Sequence, residues 1–405
     1  MKVHVLSLVL LLASAAGPSA QGGAKSFPKV DPYTKNSPDA AEKAGYVSLG
    51  PFRFGADHTT DQVERLLDGV PLLWVETEHF KLGSGLPEYA LGDAAERERV
   101  RGELERLSHK LPSVKPKAKK LDPWLRLHLF AQRLEELHAR FLSTFDLREE
   151  EFPTAPPDEA KRHSPEYMGE GRYLGMSSKF TVLLFAEKSH LARYSGVYLG
   201  QAFEAPTRLY VASIDSWVYL TAAEFLEGEY DNDSALTCEV VGAVAKNLAA
   251  GVRGASVPLP FAVGEGLAHW FAREIDPRYR FFAGLDPSQP HIDAEWNWPP
   301  RVRDRVEHRV YPSMEDVLAW TEASPLEWAD HLMLWSRFDY LFAREDGAAG
   351  RFLRALKAPF PAEGAPSAEA LVARARESLA AATDADLAGF DAAWSAWVLA
   401  SYPAK

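Results

Sequence analysis

The amino-acid sequence predicts an α+β fold that is rich in helices, in which a small sheet is followed by a long helical region. Residues 179–186 and 207–212 are apolar runs of strand length in the middle of the chain. Residues 72–82 alternate apolar with polar side chains and predict one further strand. After Leu220 the apolar residues recur mainly at helical spacing. Strands first and helices afterwards are typical of α+β folds.

Two helices are predicted before the central strands. Asp93 is a typical N-cap for a helix that runs to about Lys110, and Asp122 followed by Pro123 begins the second. Residues 148–170 are acidic, rich in proline and aperiodic, so we expect a long loop there. The remaining predicted helices cover residues 187–194, 234–250, 263–274, 313–321, 325–344, 349–357, 367–382 and 384–400.

The first residues predict export from the cell. Lys2 supplies a positive start, and residues 5–16 form an apolar stretch that is short for a membrane span, which is typical of a signal peptide. No cysteine lies directly after this stretch, where a lipid would be attached, so we expect a secreted or periplasmic protein without a lipid anchor. No other segment predicts a membrane span. The predicted regions are a signal peptide at 1–20, an extended lead-in at 21–70, a strand and helical hairpin at 71–170, a core at 171–285 and a C-terminal helical region at 286–405.

Composition and charge exclude several functions. A formal net charge of −12 argues against a nucleic-acid partner, because no dense basic face offsets it. Cys238 is the single cysteine, so no disulfide can form within the chain, and stability must come from the core. Eleven tryptophans and twenty-one phenylalanines supply large apolar side chains for that core.

Two neighbouring segments carry the functional argument. Residues 236–242 read Leu-Thr-Cys-Glu-Val-Val-Gly, and residues 261–270 read Phe-Ala-Val-Gly-Glu-Gly-Leu-Ala-His-Trp. This order resembles the gluzincin zinc metallopeptidases, in particular the peptidase-MA-like domains, in which an HExxH helix precedes a helix with Glu-Gly-x-Ala. In that family the two histidines and the later glutamate hold zinc, and the glutamate between the histidines is the general base. The resemblance extends over about residues 72–400 and implies a gluzincin-like core at 171–285.

Mapped onto this chain, the resemblance implies a site without its histidines. The general-base position falls on Glu239 and the third-ligand position on Glu265, whereas the histidine positions fall on Cys238 and Gly242. A thiolate can bind zinc, but glycine offers no side chain, so at most two of the three ligands of a catalytic zinc remain. In a register shifted by one turn, the two histidine positions fall on Gly242 and Lys246. A glycine and a protonated amine cannot replace two imidazoles as zinc ligands. We therefore expect a degenerate, relict site and no zinc cofactor.

Each of these residues also has an ordinary structural interpretation. Glu265 could favour the start of a helix through the helix dipole, and Glu239 could be a hydrogen-bonded or solvated polar residue. Cys238 could be a small buried apolar side chain. His269 lies one turn after Glu265 and could join it as an accessory residue, or it could be half-exposed.

Trp296 and Trp298 form a second candidate site. They lie in an irregular, proline-rich stretch after the Glu265 helix, and exposed aromatic rings there could bind a sugar or an extended peptide. The alternative is a loop that its tryptophans attach to the core.

Three hypotheses about function follow. The first is a secreted, catalytically inactive relative of the peptidases that binds a peptide or an envelope component in the old cleft. The second is an active hydrolase with a rebuilt metal site made from Cys238, Glu239 and Glu265, with His269 as a further candidate. The third is a structural or interaction protein without function in the cleft. No Gly-x-Ser-x-Gly, P-loop or Cys-x-x-Cys motif supports another enzyme class.

Overall fold

The computed structural model describes residues 27–67, 70–162, 164–225, 233–279, 296–322, 324–360 and 366–404. Within these ranges the chain forms thirteen helices and a six-stranded mixed sheet, which confirms the predicted helix-rich α+β class. The strands are β1 (Tyr46–Ser48), β2 (Leu73–Thr77), β3 (Phe80–Ser84), β4 (Tyr89–Ala90), β5 (Lys120–Leu121), β6 (Phe180–Phe185), β7 (Thr207–Val211) and β8 (Ser216–Ala222).

Helices pack against both faces of this sheet, and helices make up most of the described second half of the chain. They are α1 (Pro38–Lys43), α2 (Thr60–Leu66), α3 (Ala94–Lys110), α4 (Pro123–Thr144), α5 (Lys188–Tyr198), α6 (Asp233–Gly251), α7 (Phe261–Ile275), α8 (Trp298–Glu307), α9 (Met314–Leu318), α10 (Trp328–Ala343), α11 (Ala348–Leu356), α12 (Ala368–Thr383) and α13 (Leu387–Ser401). Of these helices, none has both the length and the apolar content needed to cross a bilayer.

The six strands lie in the order β1-β2-β3-β6-β8-β7. The three central strands β3, β6 and β8 are parallel, and the outer strands pair antiparallel. All six residues of β6 are buried, which explains why its sequence is a continuous apolar run. Phe180, Val182 and Leu184 point into a large core shared with α4 and α6, whereas Leu183 and Phe185 point into a smaller core formed with α2 and α5.

Helix starts agree closely with the sequence signals. The Asp93 carboxylate accepts a hydrogen bond from the Glu96 backbone N–H at 2.8 Å, and Asp122 accepts one from Leu125 at 3.1 Å. Each interaction satisfies a donor that the first turn of a helix leaves without a partner, so the side chain fixes where the helix begins. The loop predicted at 148–170 contains only two single-turn 3-10 helices in its described part.

The structure differs from the prediction at several places, among them the short strands β4 and β5, which were not predicted. The segment 72–82 is not one strand but the hairpin of β2 and β3, which turns at Glu78 and His79. Neither turn residue is a glycine or an asparagine, so the usual sequence signal is missing; the Thr77 hydroxyl accepts a hydrogen bond from the Phe80 N–H instead. Strand β8 and helix α8 were not predicted, and the described part of the lead-in contains α1, β1 and α2. The predicted signal peptide lies outside the described residues.

Candidate functional site

Helices α6 and α7 carry most of the predicted site residues and lie antiparallel against each other. They pack closely at Gly242, where an added Cβ would lie 3.3 Å from the carbonyl oxygen and 3.5 Å from the Cβ of Ala268. The 3.3 Å distance to the carbonyl oxygen is slightly tighter than ordinary van der Waals contact. Glycine at 242 therefore allows close helix packing, and an imidazole there would require the two helices to separate.

A buried group of charges fixes the first turn of α6. Arg133 on α4 donates to Glu103 on α3 at 2.6 Å and to Asp233, the first residue of α6, at 2.6 Å. Arg99 on α3 donates to the same Asp233 carboxylate at 2.9 Å. Burial alone would raise the pKa of Asp233, but the two guanidinium groups outweigh burial and hold this pKa far below its usual value. The network thereby orients the helix that carries Glu239 and Lys246.

Glu265 is buried on α7 and forms an ion pair with Lys246 of α6. The Lys246 ammonium donates to Glu265 Oε1, and the two side chains are 16% and 3% exposed. Lys246 lies one helical turn after Gly242. Helix α6 therefore places the Lys246 ammonium group beside the carboxylate that corresponds to the third zinc ligand in the resemblance.

Two histidines lie beside this ion pair. His269, on the next turn of α7, places Nε2 3.0 Å from Nδ1 of His331 on α10. Donor atoms of Glu265, His269 and His331 all lie within 4.8 Å of one another, and all three residues are buried. Burial, together with the positive charges nearby, holds the pKa of His269 well below its ordinary value. Sequence reasoning missed His331, because no spacing pattern links it to α7.

Cys238 does not join this group. Its thiol points to the backbone carbonyl of Asp276, with 3.7 Å between Sγ and the oxygen. Asp276 lies about three helical turns, or about 16 Å, beyond Glu265 along the axis of α7. Burial raises the pKa of the Cys238 thiol to about 12, so it is a protonated, apolar-like side chain at neutral pH.

Glu239 lies two helical turns before Lys246 on α6 and packs against strand β8 through Tyr219. The Tyr219 hydroxyl donates to Glu239 Oε1, while Oε2 is buried and has no hydrogen-bond partner within the described ranges. Burial raises the pKa of Glu239 to about 7, against the opposing effects of the Tyr219 hydrogen bond and the Lys246 charge. A carboxyl group of this kind can exchange a proton near neutral pH.

The two candidate tryptophans have different environments. Trp298 is 1% exposed, and the Arg273 guanidinium lies 3.6 Å from the centre of its ring, so it belongs to the core. Trp296 is 45% exposed. It lines a pocket of about 330 Å³ together with Trp270, Trp335 and other residues at the surface of α7.

A second group of titratable side chains lies at the turn between β2 and β3. His79 Nδ1 bonds to Glu135 Oε2 on α4 at 2.6 Å, and its Nε2 lies 3.1 Å from Glu149 Oε1. The ring of His138, one turn after Glu135, stacks on the ring of His79 with 3.7 Å between centroids. Burial alone would lower the pKa of His79, but Glu135 and Glu149 hold it above its ordinary value. Burial lowers the pKa of His138 to about 3.

Comparison with known proteins adds no assignment to this geometry. No protein-family model, no curated protein and no solved structure matches the chain. The likeness to gluzincins therefore stays a prediction from the sequence.

Proposed function

We propose that this protein is a secreted, non-catalytic relative of the gluzincin peptidases that binds an extended peptide beside its relict site. The observation that carries the proposal is the ion pair between Lys246 and Glu265. A protonated amine has no lone pair for a metal, and its charge repels a divalent cation. Lys246 thus neutralises the buried carboxylate in the place of zinc.

Both ways of aligning the motif lead to the same conclusion. In the first register the histidine positions are Cys238 and Gly242, and Cys238 faces Asp276 instead of Glu265. In the shifted register they are Gly242 and Lys246, the α6 residues that meet Ala268 and Glu265. Neither register supplies the pair of imidazoles, so α6 contributes no zinc ligand beside Glu265.

The pocket around Trp296 supports the peptide-binding part of the proposal. An exposed tryptophan in a concave surface gives a large apolar contact, and such residues contribute strongly to many interfaces. Arg273, Glu274 and Asp339 also line this pocket and offer charges of both signs to a peptide backbone or its side chains. The pocket borders α7 on the turns that follow Glu265.

The first expected result is the absence of zinc-dependent proteolysis. We expect purified protein to leave casein intact, with or without added zinc, because the ion pair with Lys246 keeps the Glu265 carboxylate from binding zinc. The Glu265→Gln variant should behave like the wild type, and a chelator should change nothing. Hydrolysis that needs zinc and disappears in Glu265→Gln would overturn the proposal.

A second expected result concerns binding. Fluorescently labelled, unfolded casein should bind the wild-type protein, and Trp296→Ala should weaken this binding by about 5–30-fold, the loss typical of an exposed aromatic anchor of about 1–2 kcal/mol. Fluorescence anisotropy measures the change. Val47→Ala is the control, since Val47 is 63% exposed and does not line this pocket. Equal affinities for wild type and Trp296→Ala would contradict the peptide-binding proposal.

One observation favours a second candidate function, an active metal hydrolase. Glu265, His269 and His331 supply three donors within 4.8 Å, which is the number of protein ligands in a catalytic zinc site. In this candidate His331 replaces Cys238 as a metal ligand, and Glu239 would accept a proton. It requires Lys246 to give up the Glu265 carboxylate. The casein experiment separates the two candidates, because only the hydrolase predicts activity that His331→Ala abolishes.

A further inference from the structure

We propose that His79, His138 and Glu149 form a zinc-binding site at the turn between β2 and β3. This site is separate from the Glu265 group and does not depend on the proposed function. His79 lies in the hairpin turn, His138 near the end of α4, and Glu149 in the 3-10 turn that follows α4. Ligand atoms of the three side chains all lie within 4.8 Å of one another.

The donor set fits zinc in number, type and spacing. Two imidazoles and one carboxylate are a common zinc ligand set, and three protein ligands leave a fourth position for water. Zinc bonds of about 2.0–2.2 Å in a tetrahedral arrangement place neighbouring ligand atoms about 3.3 Å apart. Glu149 Oε1 lies 3.1 Å from His79 Nε2 and 4.0 Å from His138 Nδ1, which brackets that distance.

Glu135 gives His79 the support that zinc-binding histidines usually have. Its carboxylate bonds to His79 Nδ1 at 2.6 Å and also accepts the His79 backbone N–H at 3.0 Å. With Nδ1 held by the carboxylate, Nε2 is the nitrogen that faces Glu149. A carboxylate behind the imidazole fixes the ring and makes it a stronger ligand.

His138 provides the second, independent observation. It is only 3% exposed, and no hydrogen bond to its imidazole forms within the described part of the chain. Its nearest carboxylate atom, Glu149 Oε1, lies 4.0 Å away, too far for a hydrogen bond. The imidazole is nearly buried, so its nitrogens have little contact with water and no hydrogen-bond partner among the described residues. A zinc ion between His138 and Glu149 would satisfy it.

The surroundings allow zinc to reach the site. Glu149 is 43% exposed, whereas the two histidine side chains are 8% and 3% exposed, so the site opens to solvent on the carboxylate side. The two rings are now 14° from parallel, and zinc binding requires their nitrogen edges to turn towards a common point. Bound zinc would then join the β2–β3 turn to α4 and to the chain that follows it.

The test is a zinc titration of the full-length protein after removal of metals with EDTA. We expect the wild type to retain one equivalent of zinc through desalting. Glu149→Ala should weaken zinc binding at least tenfold, and this surface substitution should leave folding intact. Glu135→Gln should weaken binding by about 10–100-fold, the usual effect of losing the carboxylate behind a ligating histidine. His138→Ala should abolish retention.

Two control variants locate the bound ion. His308→Ala changes an exposed histidine that belongs to neither group, and His331→Ala changes the Glu265 group; both should retain zinc like the wild type. The inference is overturned if the wild type retains no zinc, or if Glu149→Ala and His138→Ala both bind zinc like the wild type. Zinc that is lost only in His331→Ala would overturn this inference and contradict the proposed function as well.

Discussion

Replacing Arg133 with methionine is expected to lower the free energy of unfolding by about 3–5 kcal/mol. The guanidinium of Arg133 is buried and binds Glu103 and Asp233, which are also buried. Without it, Arg99 is the one remaining guanidinium in direct contact with these two largely buried carboxylates among the described residues. The cost of an uncompensated buried charge is much larger than the net benefit of an intact ion pair, so the loss of one partner has a large effect.

Urea unfolding at pH 7, followed by circular dichroism, measures this change. The matched control is Arg106→Met, because Arg106 pairs with Glu136 at the surface, where the two side chains are 54% and 44% exposed. Exposed ion pairs contribute about 0–1 kcal/mol, so the control should be close to wild type. If both variants lost the same stability, the network would not be the anchor of α6 that the geometry indicates.

Glu239→Gln is expected to remove a pH dependence of stability of about 3 kcal/mol. The native pKa of Glu239 is raised to about 7, against an ordinary value of 4.5, so the folded protein binds the extra proton between these values. Wild-type stability should therefore fall as pH rises from about 4.5 to 7, and should level off above pH 7. Glutamine keeps an acceptor for the Tyr219 hydroxyl but does not titrate.

The measurement is the free energy of unfolding in urea at pH 5 and at pH 8. The difference between Glu239→Gln and wild type should favour the variant by up to about 3 kcal/mol more at pH 8 than at pH 5. Glu136→Gln, a substitution at a half-exposed glutamate, should follow the wild-type profile at both pH values. If the difference in free energy of unfolding between Glu239→Gln and wild type were the same at pH 5 and pH 8, the Glu239 carboxyl would not titrate between these pH values.

Much of the fold could be predicted, because its signals are local. Asp93 and Asp122 act as N-caps where the sequence predicts them, and the apolar run of β6 is buried on both faces. The β2–β3 turn was missed because Glu78 and His79 are not turn-forming residues. The turn is stabilised by a hydrogen bond from the Phe80 N–H to the Thr77 hydroxyl, which sequence periodicity does not reveal.

The candidate site was predictable only in part. The order of motifs pointed to Glu265 and His269, and the structure places both in one buried group. His331 comes from α10 and His138 from α4, so their approach to His269 and His79 depends on tertiary packing alone. The role of Lys246 was also hidden, because only the antiparallel packing of α6 and α7 shows which α6 residue meets Glu265. The gluzincin likeness itself stays a prediction.

The central claim is that an ammonium group, and not a metal, neutralises Glu265. Anomalous scattering at the zinc absorption edge, from crystals grown with zinc chloride, tests it most directly because it locates each bound ion. The account predicts no anomalous peak within bonding distance of the Glu265 carboxylate, and one between His79 and His138. A peak bonded to Glu265, His269 and His331, with Lys246 displaced, would contradict it.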